Sequence, residues 1–207
     1  MSRELPILFN TEMVRAILAG QKTCTRRLPN KRVREEYFAY DDWANTVGGS
    51  GIKKLSEKEF YEQYPPYQPG DILYVRETWH KAYNGEKYFY RADKMTNRED
   101  RKLLDYNNVK WHPSIHMPKE AARIWLKVTD VRMERLQEIT AEGIRNEGLS
   151  SMAVHVGEDI ALKEWKNLWD STIKISDLDL YGWKANPYVW RIYFERCDKE
   201  RRVADGR

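Results

Sequence analysis

Cysteine is nearly missing from this chain. Cys24 and Cys197 are its only two, and neither belongs to a Cys-x-x-Cys pair. That excludes a disulfide framework and a thiolate zinc site of the usual spacing. Long apolar runs are missing as well. No stretch approaches the roughly 20 residues that span a bilayer, and the opening Met1-Ser2-Arg3-Glu4 lacks the apolar core of a secretory signal. The expected compartment is therefore the cytoplasm, with no membrane partner. Histidine is scarce too. His112 and His116 stand four apart, but Pro113 between them breaks a helical metal face, so neither a metal nor a cofactor is expected.

Aromatic residues, in contrast, are plentiful. Eight Trp and thirteen Tyr in 207 residues, with 41% hydrophobic residues overall, supply enough apolar surface for a packed core. Negative charge is unevenly spread. From Met13 to Arg34 there are seven Lys and Arg (15, 22, 26, 27, 31, 32 and 34) and no Asp or Glu, whereas the whole chain carries only +4. The remainder is net acidic, and a concentrated basic stretch is the pattern that attracts a polyanion or an anionic group.

The segment 11–19 reads as an amphipathic helix, with Asn10 as its cap, Val14, Ile17 and Leu18 on one face, and Gly20 as its stop. Gly20-Gln-Lys-Thr-Cys-Thr-Arg-Arg27 then follows as a polar, basic turn. Residues 30–67, which include Gly48-Gly49-Ser50-Gly51, read as a peripheral helical insertion with a flexible loop. Pro69-Gly70-Asp71 launches a strand from Ile72 to Trp79. Period-2 alternation puts Glu77 on one face with Leu73, Val75 and Trp79. A carboxylate there is costly unless paired, so Glu77 is either a salt-bridge partner of a nearby Arg or an acid lining a pocket.

Asn84-Gly85 leads into a hairpin partner at 87–92, and a second insertion occupies 93–110. Trp111-His-Pro-Ser-Ile-His-Met-Pro118 forms an aromatic loop bounded by prolines. Ile124 to Val131 alternates as a strand. Thr140 caps a short helix with Ile139 and Ile144 as its hydrophobic staple, and Gly148 ends it. Glu147 thus falls in the last turn, where the helix dipole disfavours an anion. A helix over 158–171 carries Ala161, Trp165, Leu168 and Trp169 on one face, and Tyr188 to Phe194 closes the pattern as an aromatic strand. A frayed, charged tail is expected from Glu195 on. The class expected is α+β: a small mixed-sheet β-barrel capped by short helices.

The order of these motifs resembles the ASCH domain family of the PUA-like superfamily. The resemblance rests on Gly20-x-Lys22-Thr23-x-Thr25-x-Arg27 after a helix, Pro69-Gly70-Asp71 before a strand, Leu136-x-x-Ile139-Thr140 leading to Glu147-Gly148, and the aromatic closing strand. It covers about 7–28, 68–92 and 123–195 and leaves the two insertions outside. It implies a PUA-like barrel filling a single domain over residues 1–196, with a charged tail over 197–207. Pro6-Ile-Leu-Phe9, Tyr74-Val-Arg-Glu-Thr-Trp79, the 111–118 loop and Ala185-Asn-Pro-Tyr-Val-Trp190 are similar to an ASCH subgroup found largely in bacteriophages and prophages. For a phage protein the cytoplasm is that of the bacterial host cell.

The resemblance implies recognition of RNA or a modified nucleoside. In one branch of the family it also implies hydrolysis of N4-acetylcytidine by residues matching Lys22, Thr25 and Glu147. Arg26, Arg27, Glu77, Trp79, Trp111, Ser114, His116 and Asn186 are the accompanying candidates for ligand binding. The residue chemistry agrees: a lysine with Arg26 and Arg27 nearby for a base, a threonine hydroxyl as nucleophile or water holder, and a glutamate to protonate the leaving amine. The same cations suit a ribonuclease or a phosphate clamp, and Glu147 is equally suited to pairing with Lys22 or an Arg. Trp79, Trp111 and Trp183 are either stacking platforms or core. A non-catalytic accessory protein that contacts a host protein through its insertions is the alternative of a different class.

Overall fold

The computed structural model describes residues 2–47, 53–82, 85, 87–93, 109–149 and 157–198. The class is α+β, as expected. Among the described residues there are seven strands: β1 (Glu4–Leu8), β2 (Cys24–Arg27), β3 (Ile72–Arg76), β4 (Trp79–Lys81), β5 (Tyr88–Tyr90), β6 (Trp125–Arg135) and β7 (Tyr188–Cys197). The α-helices are α1 (Thr11–Leu18), α2 (Lys31–Val47), α3 (Glu57–Tyr61), α4 (Ala141–Asn146), α5 (Glu158–Ser171) and α6 (Leu178–Tyr181). Five strands form a mostly antiparallel sheet in the order β1-β3-β6-β7-β2, while β4 and β5 pair separately. Among the described residues no pairing closes the sheet into a barrel.

The chain divides into two compact units, the first of Met1–Thr23, Gly70–Val128 and Phe194–Arg207, the second of Cys24–Pro69 and Thr129–Tyr193. In the first unit β1 runs parallel to β3, from Glu4 opposite Ile72 to Leu8 opposite Arg76, and β3 runs antiparallel to the start of β6. Helix α1 begins where Asn10 Oδ1 accepts the Met13 N–H at 2.9 Å. It buries Val14, Ala16 and Ile17. Leu73, Val75, Leu126 and Val128 are each at most 1% exposed, the depth expected of alternating strand positions.

The expected strand 72–79 is two strands. Glu77 lies between them, and its N–H meets Met117 Sδ at 3.2 Å instead of joining a ladder. From Trp79 the chain pairs with β5, Trp79 facing Tyr90 and Lys81 facing Tyr88, which is the expected hairpin. Gly85 has φ +73° in that turn; Asn84 lies outside the described residues.

In the second unit β2 pairs antiparallel with β7, from Cys24 opposite Tyr193 to Arg27 opposite Trp190. Thr140 Oγ1 accepts the Gly143 N–H at 3.1 Å and starts α4. Ile139 and Ile144 join one core with Leu136, Ala161, Trp165, Trp169 and Val189. The 30–67 insertion contributes α2 and α3, whose capping box pairs Ser56 with Glu59. Its Gly-Gly-Ser-Gly stretch and most of the 93–110 insertion lie outside the described residues.

Two corrections concern strands. Residues 24–27, expected in a basic turn, form β2, because Cys24, Thr25 and Arg26 are all buried against neighbours that the local sequence does not contain. The closing strand reaches Cys197, so Glu195 to Cys197 are ladder residues and not a frayed tail. Helix α2 has 17 residues, too few and too polar to cross a membrane, and no other described helix qualifies.

Candidate functional site

Lys22 owes its position to the end of α1. Gly20 adopts φ +73°, a backbone state open mainly to glycine, and folds the chain back so that the N–H groups of Gln21 and Lys22 both reach the Ala16 carbonyl, at 2.9 and 3.1 Å. The Lys22 side chain is thereby turned inward. The residue is 3% exposed, and its ammonium stands 5.4 Å from the centre of the Phe9 ring. Burying an ammonium is expensive, so a lysine held there is held for a reason other than solubility.

Elsewhere in the first unit Glu77 is 1% exposed and receives two hydrogen bonds from Arg123, Nε to Oε1 at 2.9 Å and Nη2 to Oε2 at 3.1 Å. Of the two readings of Glu77, the geometry is that of the salt-bridge partner. Arg123 also donates to Asp93 at 2.9 Å and stacks on Tyr90 at 3.9 Å. Burial pushes the Glu77 carboxyl above its ordinary value, although Arg123 pulls it down.

Trp79 is partly buried, with its ring 5.0 Å from His112 and 5.8 Å from Tyr88. Trp111 stands edge-on to His80 at 6.4 Å. Ser114 and His116 bound a short 3-10 turn, Ser114 partly buried and His116 exposed. Arg76 fastens this loop through the carbonyls of Ile115 and Met117.

In the second unit the candidates gather around β2. Thr25 is 4% exposed. Arg26 has a fully enclosed side chain that binds Glu134 through Nε at 2.7 Å and Glu147 through Nη1 at 3.2 Å. Arg191 adds a second cation to Glu134 at 3.4 Å. Arg26 Nη2 has no hydrogen-bond partner among the described residues. It lies beside Gly143, where an added Cβ would come within 3.2 Å of it and 3.1 Å of Ile139 Cγ1. Glycine at 143 thus lets α4 close over the guanidinium. Burial lowers the Arg27 guanidinium below its ordinary range, against the pull of Glu147.

Glu147 is the C-cap of α4 and 2% exposed, so its unfavourable place at a helix end is compensated by Arg26. Asn186 sits at φ 49°, ψ 53°, a left-handed state that asparagine tolerates better than most residues. Its Oδ1 accepts the Gln137 N–H at 2.9 Å and its carbonyl accepts Arg135 Nη1 at 3.0 Å.

Arg26 and Glu147 are therefore joined, and so are Trp79 and the 111–118 loop. Lys22 belongs to the first unit and Thr25, Arg26, Arg27, Glu147 and Asn186 to the second. The sequence reading missed Glu134, Arg191, Arg123 and Gly143. Only Gly143, a glycine inside a short capped helix, carried a local signal. Among the described residues no group of three or more His, Cys, Asp or Glu is placed to hold a metal ion.

No family model and no curated protein matches the chain. Among solved structures it is similar to the crystal structure of an ASCH domain from Lactobacillus crispatus JV V101, with 11% identity and a TM-score of 0.43, over 94% of this chain and 79% of that one. At that distance no residue role is carried across.

Proposed function

We propose that this protein recognises RNA or a modified nucleobase and hydrolyses an N-acylated base of the N4-acetylcytidine type, using Lys22, Thr25 and Glu147. One observation carries the reading. All three side chains are polar, all were singled out from the sequence motif, and they are only 3%, 4% and 2% exposed. A phosphate clamp keeps its cations at the surface, where they meet the backbone of a polymer. Enclosed side chains of these three kinds suit a small polar group taken out of water.

In the proposed reaction Lys22 accepts the proton of the attacking hydroxyl, from Thr25 itself or from a water that Thr25 holds. The new C–O bond forms at the acyl carbon and the C–N4 bond breaks. The proton taken up by Lys22 is handed on through Glu147 to the departing amine, giving cytidine; where Thr25 is the nucleophile, water then hydrolyses the acyl ester to release acetate and free the threonine. Arg26 serves as the positioning residue, since its Nη1 fixes Glu147 Oε1.

The reading is tested by titrating the protein with N4-acetylcytidine and with cytidine at low and high salt. Preference for the acetylated nucleoside, with little dependence on ionic strength, is the expected result. Binding only to RNA, with an affinity that falls steeply as salt rises, would replace it with a backbone clamp.

A further inference from the structure

Within the second unit α2, α3, the end of β6 and the segment 180–188 line a partly open cavity of about 190 Å³. It shares no residue with Lys22, Thr25 and Glu147. Two guanidinium groups line it, and each is stacked on a tyrosine. Arg34 lies 3.9 Å from the centre of the Tyr181 ring and Arg135 3.6 Å from that of Tyr188. The stacking fixes both cations in place; Arg135 Nη1 also donates to the Asn186 carbonyl at 3.0 Å, a neutral acceptor that does not balance its charge.

The negative charge in the wall falls short of that needed. Arg34 has no carboxylate partner among the described residues, and its Nε and Nη1 are shut off from solvent without an acceptor. Among the described residues the one lining acid is Glu57, 3.8 Å from Arg135 Nη1, at the outer limit of an ion pair. Burial raises the Glu57 carboxyl above its ordinary value, against the pull of Arg135 and a hydrogen bond with Tyr61. Phe38 and Leu180, 50% and 56% exposed, leave apolar surface at the edge of the same cavity.

We propose that this cavity is a phosphoryl-binding site, in which Arg34 and Arg135 approach one phosphate from two stacked positions while Phe38 and Leu180 border the group that carries it. A doubly charged tetrahedral oxyanion matches two fixed guanidinium groups better than a carboxylate, which one of them would satisfy. The site gives the 30–67 insertion a function, because Arg34, Phe38 and Glu57 all come from it. It does not depend on the nucleobase reading.

The probes are inorganic phosphate, uridylyl-uridine with and without a 5′-phosphate, and acetate, followed by calorimetry and by NMR of the arginine side chains. Phosphorylated dinucleotide bound at least about tenfold tighter than the unphosphorylated one, with that preference lost in Arg34→Gln, upholds the site and assigns it to a nucleic-acid end. Inorganic phosphate bound as tightly as the phosphorylated dinucleotide upholds the site and assigns it to free phosphate. Glu57→Gln removes the opposing carboxylate and is expected to tighten binding severalfold, and Arg34→Lys, which keeps the charge, to retain part of it. Acetate competing as well as phosphate overturns the proposal, as does the absence of binding by the folded wild type, or phosphate binding that neither Arg34→Gln nor Glu57→Gln alters.

Discussion

Arg26 and Glu147 form an ion pair at 3.2 Å with side chains that are 0% and 3% exposed, although 121 residues separate them in sequence. Glu134, 2.7 Å from the same guanidinium, makes Arg26 the shared partner of one buried and one partly buried carboxylate. The Glu134 side chain keeps 13% of its surface exposed, and Glu147 almost none.

Removing the arginine alone is therefore expected to cost more than an ordinary substitution. Arg26→Gln takes one buried cation away from Glu147 and leaves Glu134 only Arg191, and a loss of about 3–5 kcal/mol is expected in urea unfolding at neutral pH. Combining it with Glu134→Gln and Glu147→Gln should recover most of that loss, because no buried charge then remains unpaired. A single-variant loss below about 0.5 kcal/mol would show that the pair does not hold α4 to β2.

Two carboxylates give pH dependences of opposite sign. The Ser56 backbone and side chain hold the Glu59 carboxyl down at about 2, so the stability it contributes is present above its unfolded value and is lost as pH falls towards 2. Glu77 is raised by burial, so its contribution is present at low pH and is lost as pH rises through its folded value. Carboxyl NMR titration should find Glu59 titrating well below 4.5 and Glu77 above it. Equal midpoints would contradict both assignments.

Asn186 separates a structural from a binding role. Its left-handed backbone and its Oδ1 bond to Gln137 predict that Asn186→Ala destabilises by about 1–2 kcal/mol, and Asn186→Gly by less, since glycine keeps the backbone freedom and loses only the acceptor. Thermal unfolding of the two variants checks this. Glycine as harmful as alanine would show that the side-chain bond, and not the backbone, sets the cost.

Local signals were readable in the sequence where the cause was local. The Asn10 and Thr140 caps, the Ile139 and Ile144 staple, the 79–90 hairpin and the stripe of α5 all depend on residues within a few positions of one another. Strand β2 was not readable, because Arg26 and Arg27 look like a solvated turn until Glu134 and Glu147 arrive from far along the chain. Strand β1 was hidden by Pro6 and by its shortness, since its parallel partner β3 lies nearly 70 residues away. The break at Glu77 follows from Arg123, 46 residues on. Of the candidate set, Lys22, Thr25 and Glu147 are buried, and Glu77, Glu147 and Asn186 all bond protein partners, Arg123, Arg26 and Gln137.

The most direct test of the proposed activity is chromatographic release of cytidine from N4-acetylcytidine by the wild type and by Lys22→Ala, with the folding of both confirmed by circular dichroism. Turnover by the wild type and its loss, by at least about a hundredfold, in the folded variant is the result predicted for a lysine that acts as base. Turnover that survives in Lys22→Ala would remove that role, and a wild type that releases no cytidine would contradict the hydrolytic reading itself.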